Sequence, residues 1–262
     1  ALPILTSAVA LRANEGLCSP GMKLHGAGFI VTKPQAEHLG LGRRPGLERH
    51  VRPYRNGRDL TNRPRDVMVI DLFGLTDLQV RTTYPEIYQH VLATVRRERE
   101  RQAERSPTRD ARSYAEKWWI FGKPRTELRP ALAGLTRYIA TVETAKHRLF
   151  QFMQSDILPD NMLVCCAMDD PFVLGVLSSR PHTAWALAAG GWLGIGNDPR
   201  YSKSRVFDPF PFPIAPDVLK AEIRAAAEEL DAFRKARQAE HPGLTLTGMY
   251  NVLEALKADR AL

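Results

Sequence analysis

Cysteines, long apolar runs and catalytic motifs are scarce or missing in this 262-residue sequence, and each of these shortages excludes a class of protein. The three cysteines include the adjacent Cys165 and Cys166 inside an apolar run, which suits neither a disulfide framework nor metal ligation. We therefore expect a reducing cytoplasm as the compartment. No stretch approaches the roughly 20 continuous apolar residues of a membrane helix, and no signal peptide is recognisable. We expect no membrane association.

Recognisable catalytic motifs are also missing. The sequence contains no P-loop, no GxGxxG placed after a strand, no HExxH and no GxSxG. Its seven histidines are scattered and give no basis for a metal site. Acids such as Asp66, Asp71 and Glu116 leave a metal-dependent nuclease open, although their spacing is unspecific. His147 could be a general base, but an imidazole between two cations fits a phosphate or base-edge contact better. We expect the chain alone to be non-catalytic and to hold neither metal nor cofactor.

Positive charge is abundant and unevenly distributed. The net charge is +8, and 44% of the residues are hydrophobic, which is ample for a core. Lys and Arg outnumber Asp and Glu by 4 in residues 1–80 and by 7 in residues 81–150, whereas acids are in slight excess afterwards. Such a balance favours nucleic acid as a partner. A basic module that binds an acidic protein is the alternative. Within residues 96–105 the alternating signs also fit a solvated helical face.

Residues 113–150 combine two adjacent tryptophans, a glycine-proline break and cations interleaved with apolar side chains. We interpret this stretch as the reading surface of a DNA-recognition domain. Arg125 and Arg129 would share a helical face if the segment is helical there. Asn56-Gly57 predicts a tight turn that would present neighbouring arginines to phosphates.

Hydrophobic periodicity predicts an α+β fold, with a mixed sheet and flanking helices. Apolar runs predict strands at 2–6, 28–32, 67–74, 136–144 and 161–168. Helical patterns and caps predict helices at 33–40, 85–105, 169–191, 218–241 and 245–262, with a loop at 106–113. The composition changes to an Ala- and Glu-rich pattern at Pro216. We therefore predict a body over 1–215 and a short helical C-terminal domain over 216–262.

Six runs, in this order, resemble the C-terminal half of MmeI-like DNA methyltransferases, the large polypeptides of type IIL restriction-modification and related phage-defence systems. They are LHGAGFIVT (24–32), YRNGRDLTNRPRDVMVIDLFGL (54–75), YPEIYQHVLATV (84–95), WWIFGKPRTELRPAL (118–132), RYIATVETAKHRLF (137–150) and residues 174–213. Residues 96–117 depart from the pattern.

The resemblance implies that residues 1–215 form the target-recognition domain, followed by the helical C-terminal domain. Its partners would be double-stranded DNA and an upstream adenine-N6 methyltransferase domain of the same polypeptide, which would bind S-adenosyl-L-methionine. The sequence starts without Met, which also leads us to expect a longer parent polypeptide. Asn197-Asp198-Pro199 is not the catalytic motif, because Arg-Tyr follows where a second proline and an aromatic residue are required.

The resemblance also places DNA-proximal side chains between roughly Trp118 and Arg148 and in the loop from Arg200 to Arg205. Arg and Lys can neutralise phosphates or read guanine, and Asn or Gln can read adenine. The predicted DNA-binding residues are Lys123, Arg125, Arg129, Lys146, His147, Arg148, Arg200, Tyr201, Lys203 and Arg205.

Overall fold

Two four-stranded sheets organise the chain in the computed structural model, which describes residues 8–193 and 198–259. One sheet is antiparallel and has the order β1 (Cys18–Pro20), β8 (Leu163–Cys166), β5 (Arg137–Val142) and β6 (Gln151–Gln154). The other has the order β2 (Ile30–Thr32), β4 (Val67–Ile70), β3 (Val51–Arg55) and β7 (Leu158–Pro159), and is mixed because β3 and β7 run parallel. A separate antiparallel pair consists of β9 (Gly191–Leu193) and β10 (Asp198–Arg200). The predicted α+β fold is confirmed.

Eleven α-helices flank the sheets in the described ranges. They are α1 (Lys33–His38), α2 (Gly57–Thr61), α3 (Asp77–Thr83), α4 (Pro85–Val91), α5 (Arg97–Arg105), α6 (Arg109–Glu116), α7 (Leu128–Leu132), α8 (Pro171–Ser178), α9 (Arg180–Ala189), α10 (Asp217–Glu240) and α11 (Leu246–Asp259). A π-helical turn over Leu92–Arg96 joins α4 to α5, so residues 85–105 form the continuous helix that the sequence predicts.

Local capping explains where several helices begin. Thr32 accepts a hydrogen bond from the Gln35 amide at 3.3 Å, and the Gln35 side chain accepts one from the Thr32 amide at 2.8 Å. This capping box starts α1 as predicted. Asp170 caps α8 and Ser179 caps α9, so the single helix predicted over 169–191 is two helices with a complete break between them.

Three local predictions were wrong. The loop predicted at 106–113 contains the start of α6, because the Thr108 hydroxyl caps the Ala111 amide at 3.1 Å. Asn56 makes no tight hairpin turn; its side chain accepts bonds from the backbone amides of Arg58 and Asp59 and starts α2. Arg125 has a left-handed φ of 53° and lies before α7, so it shares no helix with Arg129.

The predicted strands at 28–32, 67–74, 136–144 and 161–168 are confirmed as β2, β4, β5 and β8. The strand predicted at 2–6 lies outside the described residues. β5 separates two hydrophobic clusters, because its side chains alternate between the faces of a fully buried strand. Tyr138 and Ala140 join the cluster with β2, β3 and β4, whereas Ile139 joins the cluster with α8 and α9.

The long helix α10 docks on the body of the chain. Gly175 of α8 permits close approach, since a Cβ there would lie 2.5 Å from the Ile223 side chain. The buried Asp231 carboxylate accepts a hydrogen bond from the Phe152 amide of β6 at 3.1 Å. α10 therefore completes the second hydrophobic cluster, to which it contributes Ala227. The division of the chain into domains at residue 216 stays a prediction.

Candidate nucleic-acid interface

A cleft of about 510 Å³ opens between α2, the connection from β5 to β6, and α11. Cationic, amide and hydroxyl groups share its walls with a few apolar groups. The side chains that give it this character belong to Asn56, Arg58, Thr61, Asn62, Thr144, Lys146, Met162, Asp198 and Thr247.

The connection from β5 to β6 is fastened to β10. Thr144 forms an antiparallel bridge with Arg200, and the Tyr201 amide donates to the Glu143 carbonyl oxygen at 2.6 Å. The Ala145 amide donates to the Pro199 carbonyl oxygen at 3.4 Å. Two segments predicted to approach DNA, residues 143–148 and 200–205, are therefore neighbours in the structure.

Lys146 and His147 contact α11 at the edge of the cleft. Lys146 Nζ lies 2.7 Å from Asn251 Oδ1 and 3.3 Å from Glu254 Oε2, and its side chain is 55% exposed. His147 uses both ring nitrogens, with Nε2 at 2.9 Å from Asn251 Oδ1 and Nδ1 at 3.3 Å from Glu254 Oε1. His147 is buried, so the ammonium of Lys146 is the group of this pair that faces solvent.

Arg148 and Tyr201 have partners inside the protein. The Arg148 guanidinium donates to Thr141 Oγ1 at 3.1 Å, to the Pro199 carbonyl oxygen at 2.9 Å and to the Val142 carbonyl oxygen. Burial lowers the pKa of Arg148 to about 10. Its guanidinium also lies 5.1 Å from the ring of Tyr201, which is only 1% exposed. Both side chains hold the connection in place, and Tyr201 has no access to a ligand at the surface.

The cations of the 200–205 loop differ in how they are neutralised. Arg200 Nε donates to Glu143 at 2.7 Å, and Lys203 Nζ lies 2.9 Å from Asp208 Oδ2. Arg205 is exposed and forms no ion pair with any carboxylate in the described part of the chain. Its guanidinium is therefore the member of this loop best able to meet an anion.

Lys123 and Arg125 do not line the cleft. Lys123 exchanges two backbone hydrogen bonds with Lys23, at 3.0 and 3.1 Å, and its side chain is exposed. Arg125 Nε donates to the Gly21 carbonyl oxygen at 3.0 Å. The segment that carries these two residues is part of a different surface.

Arg129 and the adjacent residues Trp118 and Trp119 stabilise the fold rather than line the cleft. Arg129 binds the buried Asp71 carboxylate through both terminal nitrogens, at 2.7 and 3.0 Å, a geometry that leaves it little freedom. Trp118 is buried in the core, and Trp119 Nε1 donates to the Leu75 carbonyl oxygen at 2.9 Å. The interpretation of both tryptophans as part of a reading surface was wrong, because their rings pack inward.

The groups that line the cleft match the chemistry of base edges. Amides of the Asn type suit adenine, Lys and Arg suit guanine or phosphate, and apolar groups such as Met162 suit the thymine methyl. The carboxylate of Asp198 could accept a hydrogen bond from the cytosine amino group. Thr144 Oγ1 is buried without a hydrogen-bond partner among the described residues.

Several of these residues were not predicted from the sequence as site residues. Asn62 lies in the exposed segment TNRPRD, where an amide beside arginines is a signal that could have identified it. Thr247 carries no such signal, because it reaches the cleft only through the position of α11. Met162 resembles any strand-edge apolar residue.

Within residues 8–193 and 198–259 no three His, Cys, Asp or Glu side chains converge as metal ligands would. None of the helices described has both the length and the apolar character needed to cross a bilayer.

Comparisons with known proteins agree with this fold. The family model described as MmeI, target recognition domain, matches residues 14–214. The chain is similar to a solved structure of the type IIL restriction-modification enzyme MmeI in complex with DNA, with a TM-score of 0.68 and 22% sequence identity. The similarity covers 89% of this chain and 29% of that chain, so the chain spans less than a third of the MmeI polypeptide. No curated protein sequence matches. Since the family model covers most of the sequence, the chain belongs to the MmeI target recognition domain family.

Proposed function

We propose that this chain binds double-stranded DNA and selects a base sequence, as the target-recognition part of a type IIL restriction-modification enzyme. The observation that carries the proposal is the cleft beside Lys146, which lies within a chain whose family model is a target recognition domain. The similar MmeI structure contains DNA, which supports duplex DNA as the ligand.

In this proposal one set of side chains contacts phosphates and another contacts base edges. The exposed cations Arg58, Lys146 and Arg205 neutralise phosphates and fix the register of the duplex. Amide and hydroxyl groups in the cleft, with Asn62 the most exposed amide, contact base edges. Arg129, Arg148 and Tyr201 support the geometry without touching DNA.

The parent polypeptide is proposed to be an adenine-N6 DNA methyltransferase of a restriction-modification or phage-defence system, acting in the cytoplasm. An upstream domain of that polypeptide would bind S-adenosyl-L-methionine and carry out methyl transfer. The cleft does not fit that cofactor, because its sulfonium is cationic and Arg58 and Lys146 line the cleft beside the single carboxylate of Asp198. This chain would supply the recognition of the DNA sequence, and we expect no methyl transfer by it alone.

Salt dependence of duplex binding tests the phosphate contacts. Each cation that neutralises a phosphate contributes about 0.9 to the slope of log K against log salt. The double variant Lys146→Ala, Arg205→Ala should weaken binding and make that slope shallower by about 2. The matched control Lys33→Ala, Arg81→Ala removes two exposed cations outside the cleft and should leave affinity and slope unchanged.

Selection from a randomised duplex pool tests base reading. Asn62→Ala should relax preference at one position, with discrimination falling by about 1–3 kcal/mol, while the salt slope stays constant. Gln238→Ala, which removes a partly exposed amide from α10, serves as the control. The proposal fails if the chain shows no duplex binding at low salt, or if it binds all duplexes equally in the presence of the rest of its polypeptide.

A further inference from the structure

A second concave site lies between α5, α6 and the segments around Lys23 and Lys123. Its volume is about 410 Å³, and it shares no lining residue with the cleft beside Lys146. Lys23 and Lys123 are directly opposed across an antiparallel bridge, so their side chains project from the same face. Like charges in this arrangement repel each other. Neither ammonium is paired with a carboxylate of the described residues within ion-pair distance.

His25, an exposed residue, lines this site in a conformation that few residues other than glycine adopt. Its φ is 51°, and its ring stacks on Tyr114 with centroids 4.6 Å apart. Gly122 makes room for the ring, because a Cβ at that position would lie 2.4 Å from His25 Cδ2. Burial lowers the pKa of His25, and the nearby Lys23 and Arg99 lower it further. The imidazole therefore adds a hydrogen-bonding group without adding charge at neutral pH.

Arg99 places a third cation at the wall of the site. Its side chain is buried, and its guanidinium donates to six carbonyl oxygens at 2.7 to 3.2 Å, including those of Leu24, His25 and Ile120. Within the described ranges no carboxylate forms an ion pair with it. Its charge is stabilised mainly by these carbonyl dipoles and adds to the positive potential in the site.

Two carboxylates, those of Glu98 and Asp110, also line the site. Glu98 Oε2 accepts a hydrogen bond from the Ala27 amide at 3.3 Å, and Asp110 Oδ2 accepts one from the Tyr114 hydroxyl at 3.4 Å. The two lysines and Arg99 together outnumber them, so the site keeps a positive excess.

We propose that this site binds a phosphate group between Lys23 and Lys123. Phosphate oxygens accept charge-assisted hydrogen bonds from ammonium groups, and a bound anion would remove the repulsion between the opposed lysines. The phosphate is carried either by a nucleic-acid backbone, at a position outside the cleft, or by a free nucleotide. The inference goes beyond sequence recognition and does not depend on it.

Inorganic phosphate tests the site without DNA. At constant ionic strength, with chloride as the replaced anion, phosphate should raise the melting temperature of the wild-type chain. In the double variant Lys23→Gln, Lys123→Gln the apparent Kd for phosphate should rise at least about tenfold, because two charge-assisted hydrogen bonds are lost. The control Lys33→Gln, Arg81→Gln should respond like the wild type.

A duplex-binding arm distinguishes the two sources of phosphate. Weaker duplex binding by the double variant, with a shallower salt slope, would assign the site to the nucleic-acid backbone. Loss of phosphate binding with unchanged duplex binding would assign it to a free nucleotide. The proposal is overturned if the double variant matches the wild type in both arms.

Discussion

The buried imidazole of His182 should make the stability of this protein depend on pH in a defined window. His182 is fully buried, Nδ1 donates to the Leu177 carbonyl oxygen at 2.8 Å, and Nε2 faces the Tyr201 hydroxyl at 3.2 Å. Burial lowers the pKa of His182 to about 4. In the unfolded chain the pKa of histidine is about 6.5, so the unfolded state takes up the proton first as the pH falls. The contribution of neutral His182 to the free energy of unfolding is fully present above about pH 6.5 and decreases as the pH falls towards 4.

The magnitude follows from the difference between the two pKa values. Between pH 7 and pH 5 the unfolded state gains about 2 kcal/mol relative to the folded state, at about 1.4 kcal/mol per pH unit below the unfolded pKa. His182→Gln keeps a neutral polar side chain and has no such proton to take up. Its free energy of unfolding should therefore fall by about 2 kcal/mol less over this pH range than that of the wild type.

Urea unfolding followed by tryptophan fluorescence at pH 7 and pH 5 measures this difference. Protonation of carboxylates such as Asp59 and Asp170 also destabilises the folded protein in acid. Hydrogen bonds from arginine partners and from backbone amides lower the pKa values of both groups. Their contribution cancels because both proteins contain them. Equal pH dependence in wild type and His182→Gln would refute the reasoning.

Three further changes test the framework. Arg99→Gln should lower the free energy of unfolding by on the order of 3 kcal/mol, because buried carbonyl oxygens lose their donor; chemical denaturation would show this, and a loss below 1 kcal/mol would contradict it. Gly122→Ala should displace His25, seen as a changed histidine signal in NMR spectra and as weaker phosphate binding. Asp231→Ala should cost about 1–3 kcal/mol, because the Phe152 amide loses its acceptor; Asp231→Asn, which keeps an acceptor, should recover part of the loss.

Local sequence rules predicted much of the framework. The starts of the helices predicted at 33 and 169 and the helix predicted over 218–241 depend on residues close in sequence, and the structure confirms all three. Asn56 shows where such rules fail. An Asn-Gly pair fits both a tight turn and a helix start, and the return hydrogen bond that the Asn56 amide donates to the Asp59 carboxylate favours the helix.

The candidate site was less predictable, because the environment of a cation depends on distant parts of the chain. Arg129 is neutralised by Asp71, and Arg148 donates to carbonyl oxygens that include that of Pro199. In sequence these arginines look no different from Arg205, which is exposed. The alternating charges around Arg99 likewise predicted a solvated helix, whereas that one side chain is buried. The density of charge in the sequence identified the basic half of the chain, but it did not show which cations lack a partner within the protein.

The contacts between α11 and the connection from β5 to β6 affect how DNA specificity could be transferred from one protein to another. Lys146 meets Asn251 across 105 residues of sequence, and His147 meets Glu254 on the same helix. A transplant of residues 143–148 alone would separate these side chains from Asn251 and Glu254 and so remove the contacts that orient them. The loop and α11 therefore have to be exchanged together if the orientation of Lys146 and His147 is to be kept, although they are far apart in the sequence.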